Sequence, residues 1–128
     1  MKILFFGDSI TDMSRNRNEN AEEIYTYGSG YPMLVASALY RKNPLEYQVI
    51  NRGIGGDRSV DLYARIKRDV WNLNPDVLSI LVGINDRPPQ NAGHGNDRQI
   101  LQKVKLANNS RQKTISFCLY ILPTNVLA

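Results

Sequence analysis

The sequence predicts an α/β fold built on a parallel sheet. Apolar runs at 2–7, 47–52 and 77–82 lack polar alternation and end at glycine or turn residues, as expected of strands that are covered on both faces. Two stretches with helical spacing, 32–42 and 59–73, separate these runs. The order strand, helix, strand, helix, strand is typical of parallel strands joined by right-handed crossovers.

The first predicted helix begins near Pro32, which is tolerated in a first helical turn, and ends at Asn43, which precedes a proline. Its apolar residues predict the buried face, which consists of Leu34, Val35, Ala38 and Leu39.

The second predicted helix has Ser59 as its N-cap and Asp61 in its first turn. An apolar stripe follows at helical spacing, made of Leu62, Tyr63, Ile66, Val70 and Leu73. Trp71 and the tyrosines also occur at helical or strand spacing, which favours core packing.

The part of the chain after Asp86 differs in composition from the part before it. A Pro/Gly/Asn loop at 87–96 is followed by a predicted short helix at 97–107 and a predicted fourth strand at 114–122. No further strand or closing helix follows, so we expect a C-terminally truncated sheet with one edge and part of one face uncovered. Such an edge favours a homo-oligomer.

Length and charge narrow the class of protein. The 128 residues suit a single domain, 1–128, and the net charge of +4 is unevenly distributed. Residues 1–86 hold ten Lys/Arg and eleven Asp/Glu, whereas the basic tail 87–128 holds six and one. Six cations over this length make a thin patch, so we expect no nucleic-acid partner.

Compartment is predicted from what the sequence lacks. The longest apolar stretch, 115–122, is too short to span a membrane, and the first, 3–6, is too short for a signal peptide. Cys118 is the single cysteine, which excludes an internal disulfide framework. We therefore expect a cytoplasmic protein with no membrane partner.

Chemistry-bearing residues follow three predicted strands. The loops contain Ser9, Gly56 and Asn85, and the carboxyl ends of parallel strands share one edge of the sheet. Acyl transfer needs a nucleophile and hydrogen-bond donors that face the developing oxyanion. Ser9 offers a hydroxyl, Gly56 a main-chain N–H without a Cβ in the way, and Asn85 an uncharged amide. The pattern predicts a site for ester hydrolysis.

These blocks resemble those of the SGNH, or GDSL-type, hydrolases. Gly7-Asp8-Ser9-Ile10 is similar to the nucleophile block, Gly56 before Asp57 to the oxyanion-glycine block, and Gly83-Ile84-Asn85-Asp86 to the asparagine block. The resemblance covers residues 1–86. It implies a flavodoxin-like three-layer α/β/α sandwich and a serine esterase or acylhydrolase. The implied substrates are small acyl esters of carbohydrates or lipids, with no metal or cofactor.

The fourth block of that family, Asp-x-x-His, is absent. The only histidine is His94, three residues after Asn91. We therefore expect impaired activity, because general-base assistance contributes about 10²–10⁴-fold. His94, with Asp97 nearby, is a hypothetical substitute base; the alternative is a solvated loop histidine.

Two other functions stay open. One is a truncated, non-catalytic domain that retains the pocket and binds acylated ligands or partners. The other is an interaction module that uses the basic tail. Among neighbouring residues, Asp8 and Asp57 are expected to hydrogen-bond loop backbone, while Asp12 and Arg58 either touch substrate or pair with other charges.

Overall fold

The strands of the described residues form one four-stranded parallel sheet. The computed structural model describes residues 1–18 and 20–86 and, for 114–119, the backbone of a strand. The strands run in the spatial order β2-β1-β3-β4. Their bounds are Lys2–Gly7 (β1), Gln48–Asn51 (β2), Val77–Val82 (β3) and Thr114–Leu119 (β4). The predicted α/β class with a parallel sheet is confirmed, and residues 120–122 of the predicted fourth strand lie outside the described residues.

The described helices connect the first three strands. Their bounds are Ser9–Asp12 (α1), Glu23–Thr26 (α2), Tyr31–Lys42 (α3) and Ser59–Ile66 (α4), and α4 continues as a π-helical turn, Lys67–Trp71. Only α3 and α4 were predicted from apolar periodicity. The helix predicted at 97–107 falls outside the described residues. Across the part of the chain that is described, every helix is too short or too polar to cross a bilayer.

Strand β1 separates two hydrophobic clusters. Ile3 and Phe5 pack on the α3 side, whereas Leu4 and Phe6 pack on the α4 side. This alternation follows from the two-residue period of a strand. Because both faces of β1 are apolar, the sequence requires a helix on each side of the sheet, and the two crossovers through α3 and α4 supply them.

The predicted buried face of α3 is wrong for Leu34, Val35 and Ala38, which are exposed, whereas Leu39 is partly buried and packs against the core. Leu34 is 71% exposed and Val35 is 36% exposed, while the fully buried positions are Pro32 and Ala36. Both sets have helical spacing, so periodicity alone could not choose between them. The helix turns its small residues toward the sheet because tyrosines occupy the space beside them.

Hydrogen-bond partners allow Tyr27 to be buried and Tyr40 to be partly buried. The Tyr27 hydroxyl donates to Glu23 and lies 2.9 Å from the Tyr40 hydroxyl, which in turn accepts a hydrogen bond from Val49 N at 3.1 Å. Burial, together with these bonds, raises the pKa of Tyr27 above its usual value. A phenol with partners can be buried at little cost, so aromatic residues replace the aliphatic face that the sequence predicted.

Helix α4 begins differently from its prediction but buries most of the predicted apolar stripe. Arg58 is the N-cap and Ser59 is the first helical residue, so the predicted N-cap is one residue late. Leu62, Ile66 and Val70 are buried and Leu73 is partly buried, as predicted.

Two aromatic residues of this segment are not part of the core. Tyr63 is 40% exposed and Trp71 is 42% exposed. Successive helical residues are about 100° apart, so Tyr63 projects away from the sheet that Leu62 contacts.

Candidate active site

The first loop presents Ser9 at the carboxyl end of β1. Ser9 is exposed and is the first residue of α1, whose N-cap is Asp8. The buried Asp8 carboxylate accepts a hydrogen bond from Ile10 N at 3.0 Å, as expected from the sequence. Burial raises the pKa of Asp8, and the nearby carboxylates of Asp86 and Asp57 add to that rise. The local fold therefore fixes the backbone that bears the Ser9 hydroxyl.

The second loop, which follows β2, lies against the first. A Cβ placed on Gly55 would be 3.7 Å from the Ser9 Cβ and 3.6 Å from Asp12 Oδ2. The Gly55 N–H donates to that same Asp12 oxygen at 2.9 Å. This contact ties the glycine loop directly to the helix that carries Ser9.

Glycine is required at two positions of this loop, for a different physical reason at each. Gly53 passes so close to α1 that a Cβ would come within 2.3 Å of Asp12 N. Gly56 has a φ of +87°, and a Cβ there would meet no atom within 4 Å. Gly53 is required for close packing, whereas Gly56 is required for a left-handed backbone beside open space.

The third loop, which follows β3, is bound to the second. The Asn85 side-chain amide donates to Asp57 O at 2.9 Å. The Asp86 carboxylate accepts from Ser59 N at 3.0 Å and from Ser59 Oγ at 2.7 Å. These bonds join β3 to the beginning of α4 and place the Asn85 amide next to the residue that follows Gly56.

Acidic side chains around these loops form ion pairs with arginines. Among the described residues the Asp57 side chain has no backbone partner of the expected kind; its Oδ2 pairs with Arg65 Nε at 2.7 Å. Asp12 is 7% exposed and pairs with Arg17, in addition to holding Gly55.

Arg58, the other residue for which a substrate contact was one expectation, is also in an ion pair. Arg58 pairs with Asp61 at 2.9 Å, and this pairing holds the pKa of Asp61 below its usual value. Of the two expectations for Asp12 and Arg58, pairing with other charges is the one that the structure supports.

Sequence reasoning missed Arg65 and assigned no role to Asp86. A partial signal for Arg65 was present, since Asp69 lies four residues later and the two side chains pair at 2.9 Å. Burial alone would raise the pKa of Asp69, but hydrogen bonds from Arg68 and Arg65 hold this pKa below its usual value. The Ser59–Asp86 contact spans 27 residues and leaves no local pattern.

The structure thus brings together the loops that bear Ser9, Gly56 and Asn85. His94, Asp97 and Cys118 lie outside the residues whose side chains are described. A parallel sheet that carries an exposed serine, a glycine loop and a carboxamide on one edge is the arrangement of the SGNH-type ester hydrolases. The chain belongs to the GDSL-like lipase/acylhydrolase family, whose sequence model matches residues 5–124. The match extends beyond the three motifs that end at residue 86.

Individual relatives agree with this assignment. An acetylxylan esterase from Geobacillus stearothermophilus is 44% identical over 86 residues, which are 66% of this chain and 39% of that protein. The crystal structure of Axe2, an acetylxylan esterase from the same species, superposes with a TM-score of 0.75 at 33% identity, covering 92% of this chain and 57% of that one. A structure from Parabacteroides merdae described as a GDSL-like lipase gives 0.76 at 32% identity, covering 92% and 57%. The chain therefore spans less than two thirds of each of these relatives.

Proposed function

We propose that this chain carries the nucleophile and the oxyanion donors of a carboxylic ester hydrolase. Ser9 is the nucleophile, and the main-chain N–H groups of Ser9 and Gly56, with the Asn85 amide, receive the oxyanion. Membership of an acylhydrolase family supports the reaction class. The roles of the three residues rest on their placement.

One observation carries the proposal. The Gly55 backbone approaches Ser9, and the Asn85 amide is fixed on the carbonyl of Asp57, the residue after Gly56. A carboxamide nitrogen has two N–H donors, so one remains for a substrate oxygen when Asp57 takes the other. Donors held in advance stabilise a developing charge without reorganisation, which is why fixed loops favour catalysis over mere binding.

The proposed reaction has two covalent steps. Ser9 Oγ adds to the ester carbonyl carbon, the tetrahedral intermediate collapses, and the alcohol departs with the proton that Ser9 has given up to a base. Water then adds to the acyl-serine, and the carboxylic acid leaves as Ser9 recovers its proton. The oxyanion donors act in both steps, because each passes through a tetrahedral intermediate.

We propose small acyl esters, and acetyl groups on carbohydrates in particular, as substrates. The acetylxylan esterase relatives support this class. The exposed position of Ser9 suits an acyl group carried on a larger alcohol.

The base is the incomplete part of the proposal. In the Axe2 esterase a serine-to-alanine variant and a histidine-to-alanine variant are both described as catalytic mutants. This 128-residue chain contains no Asp-x-x-His motif, and His94 is its single histidine. We therefore propose that the chain by itself hydrolyses esters feebly, with His94 as the candidate that would supply any remaining general-base assistance.

Hydrolysis of p-nitrophenyl acetate tests the proposal. We expect a slow rate that Ser9→Ala abolishes and that Ser37→Ala, a change at an exposed serine of α3, leaves unaltered. His94→Gln should lower the Ser9-dependent rate if His94 is the base. An unimpaired turnover would contradict the expected impairment, and a rate that Ser9→Ala does not change would contradict the role of Ser9.

The missing motif also favours a second candidate, a non-catalytic domain that binds acylated ligands. A fluorophosphonate probe separates the two, since only an activated serine hydroxyl reacts with it. Label on Ser9, located by mass spectrometry, supports the hydrolase. Binding of an acetylated xylo-oligosaccharide without any label on Ser9 supports the binding domain.

A further inference from the structure

One largely buried arginine, Arg65, contacts two of the three backbone segments on which the proposed site depends and reaches the third through Asp57. The Arg65 side chain is 10% exposed, and four of the five N–H donors of its guanidinium are engaged. Two donate to carboxylates, to Asp57 Oδ2 at 2.7 Å and to Asp69 Oδ2 at 2.9 Å. Two donate to main-chain carbonyls, to Arg52 O at 2.8 Å and to Gly7 O at 3.2 Å.

The acceptors of Arg65 lie next to the proposed catalytic groups in the sequence. Gly7 is the last residue of β1, two before Ser9. Arg52 and Asp57 are the residues on either side of the loop 53–56. A single planar group therefore holds both ends of the glycine loop and the end of the strand that presents the serine.

The contact with Asp57 extends to the third loop. Asp57 gives its side chain to Arg65 and its main-chain carbonyl to the Asn85 amide. A displacement of Asp57 would therefore move Gly56 on one side and Asn85 on the other. The hydrogen-bond chain from Arg65 through Asp57 to Asn85 links the two proposed oxyanion donors.

Lysine at position 65 could not replace these contacts. The guanidinium offers a rigid fork of donors pointing in different directions, whereas an ammonium is one point charge on a flexible stem. The guanidinium carbon also lies over the Phe6 ring, 4.4 Å from its centre. Lysine would keep the charge beside Asp57 and Asp69 and lose the simultaneous hold on the carbonyls.

We propose that Arg65 is a positioning residue that sets the separation between Ser9 and the oxyanion donors Gly56 and Asn85. The proposal rests on the function proposed above. Arg65 touches no substrate in this account; it acts through the two carbonyls and through Asp57. Its removal should lower the rate at which bound substrate reacts more than it weakens binding.

Two variants and one control test the proposal. Arg65→Lys keeps the charge, and Asp57→Ala, in case the lysine variant does not fold, removes one acceptor and leaves the other contacts of Arg65. The control is Arg68→Gln, because Arg68 also pairs with Asp69 but is 71% exposed. A misplacement near 1 Å costs about 10²-fold in rate, so we expect kcat for p-nitrophenyl acetate to fall about 10- to 100-fold in both variants, with a smaller change in KM.

A second readout needs no turnover. In a ¹⁵N–¹H correlation spectrum, both variants should shift the Asn85 side-chain amide and the Gly56 N–H, and Arg68→Gln should not. If Arg65→Lys and Asp57→Ala leave these resonances and kcat in place, the proposal is wrong. If the wild-type protein shows no Ser9-dependent rate, the proposed function fails, and the resonance shifts still decide whether Arg65 positions the two donors.

Discussion

The contact between Asp86 and Ser59 offers a quantitative test of how the third loop is held. At the start of α4 the Asp61 carboxylate accepts Arg58 N at 2.9 Å, whereas Ser59 N takes its acceptor, the Asp86 carboxylate, from another loop. Asp86→Ala removes that acceptor. It also removes a negative charge from the positive end of a helix dipole.

The expected loss follows from the bonds involved. Hydrogen bonds to a charged group contribute about 1.5–3 kcal/mol, and a charge at a helix N-terminus adds about 0.3–1 kcal/mol. Part of this is recovered when water reaches the freed Ser59 groups, so we expect Asp86→Ala to lower the free energy of unfolding by about 2 kcal/mol. For a chain of this size that is a fall in Tm of about 8 °C.

The assay is thermal unfolding followed by circular dichroism, with Asp61→Ala as the matched control. Asp61 is also a carboxylate in the first turn of α4. It accepts Arg58 N at 2.9 Å and pairs with the Arg58 side chain, but these bonds are exposed and the Arg58 side chain is 56% exposed. Exposed ion pairs contribute about 0–1 kcal/mol, so the control should lose less stability than Asp86→Ala. Equal shifts for the two variants, or no shift for Asp86→Ala, would refute the reasoning.

Three further outcomes are expected. Asn85→Ala removes a proposed oxyanion donor and should lower the Ser9-dependent esterase rate about 10²- to 10³-fold, measured with p-nitrophenyl acetate; an unchanged rate would exclude the role. Gly56→Ala should lower the free energy of unfolding in urea by about 1–2 kcal/mol, because alanine must adopt a left-handed backbone there. Gly53→Ala puts a methyl group 2.3 Å from Asp12 N and should lower it clearly more. The reverse ranking of the two variants would contradict the packing. Burial raises the pKa of Asp8 in the folded protein above its unfolded value, so ionisation of Asp8 lowers the free energy of unfolding as the pH rises through these two values. Asp8→Asn should therefore stabilise the protein at neutral pH relative to the wild type, with the difference vanishing in acid. A difference that grew in acid would contradict the assigned direction of the pKa shift.

Much of the architecture could be predicted because it depends on local patterns. Continuous apolar runs that end in glycine, such as 2–7 and 77–82, locate buried parallel strands, and the structure has strands there. The side on which each connecting helix packs then follows from crossover handedness. The three loops could be assigned to one edge because the carboxyl ends of parallel strands meet there.

Side-chain orientation could be predicted only in part. In α3 the aliphatic residues Leu34 and Val35 are exposed, because the tyrosines gain partners that periodicity does not reveal. Tyr63 and Trp71 are exposed although their spacing is helical. An apolar pattern locates a helix more reliably than it locates the face that the helix buries.

The supports of the site could not be predicted because they connect distant parts of the chain. Arg65 reaches Gly7 across 58 residues, and Ser59 reaches Asp86 across 27. Charged residues on a helix read in sequence as a solvated face, and their carbonyl partners have no sequence signature at all. Candidate reactive residues were visible in the motifs, whereas the groups that hold them required the fold.

The most direct test is a crystal structure of the chain after exhaustive reaction with a small organophosphate ester. We expect a phosphorylated Ser9 whose phosphoryl oxygen lies about 3 Å from the main-chain nitrogens of Ser9 and Gly56 and from the Asn85 amide nitrogen. A phosphoryl oxygen directed to solvent, or phosphorylation at a different residue with Ser9 untouched, would contradict the account.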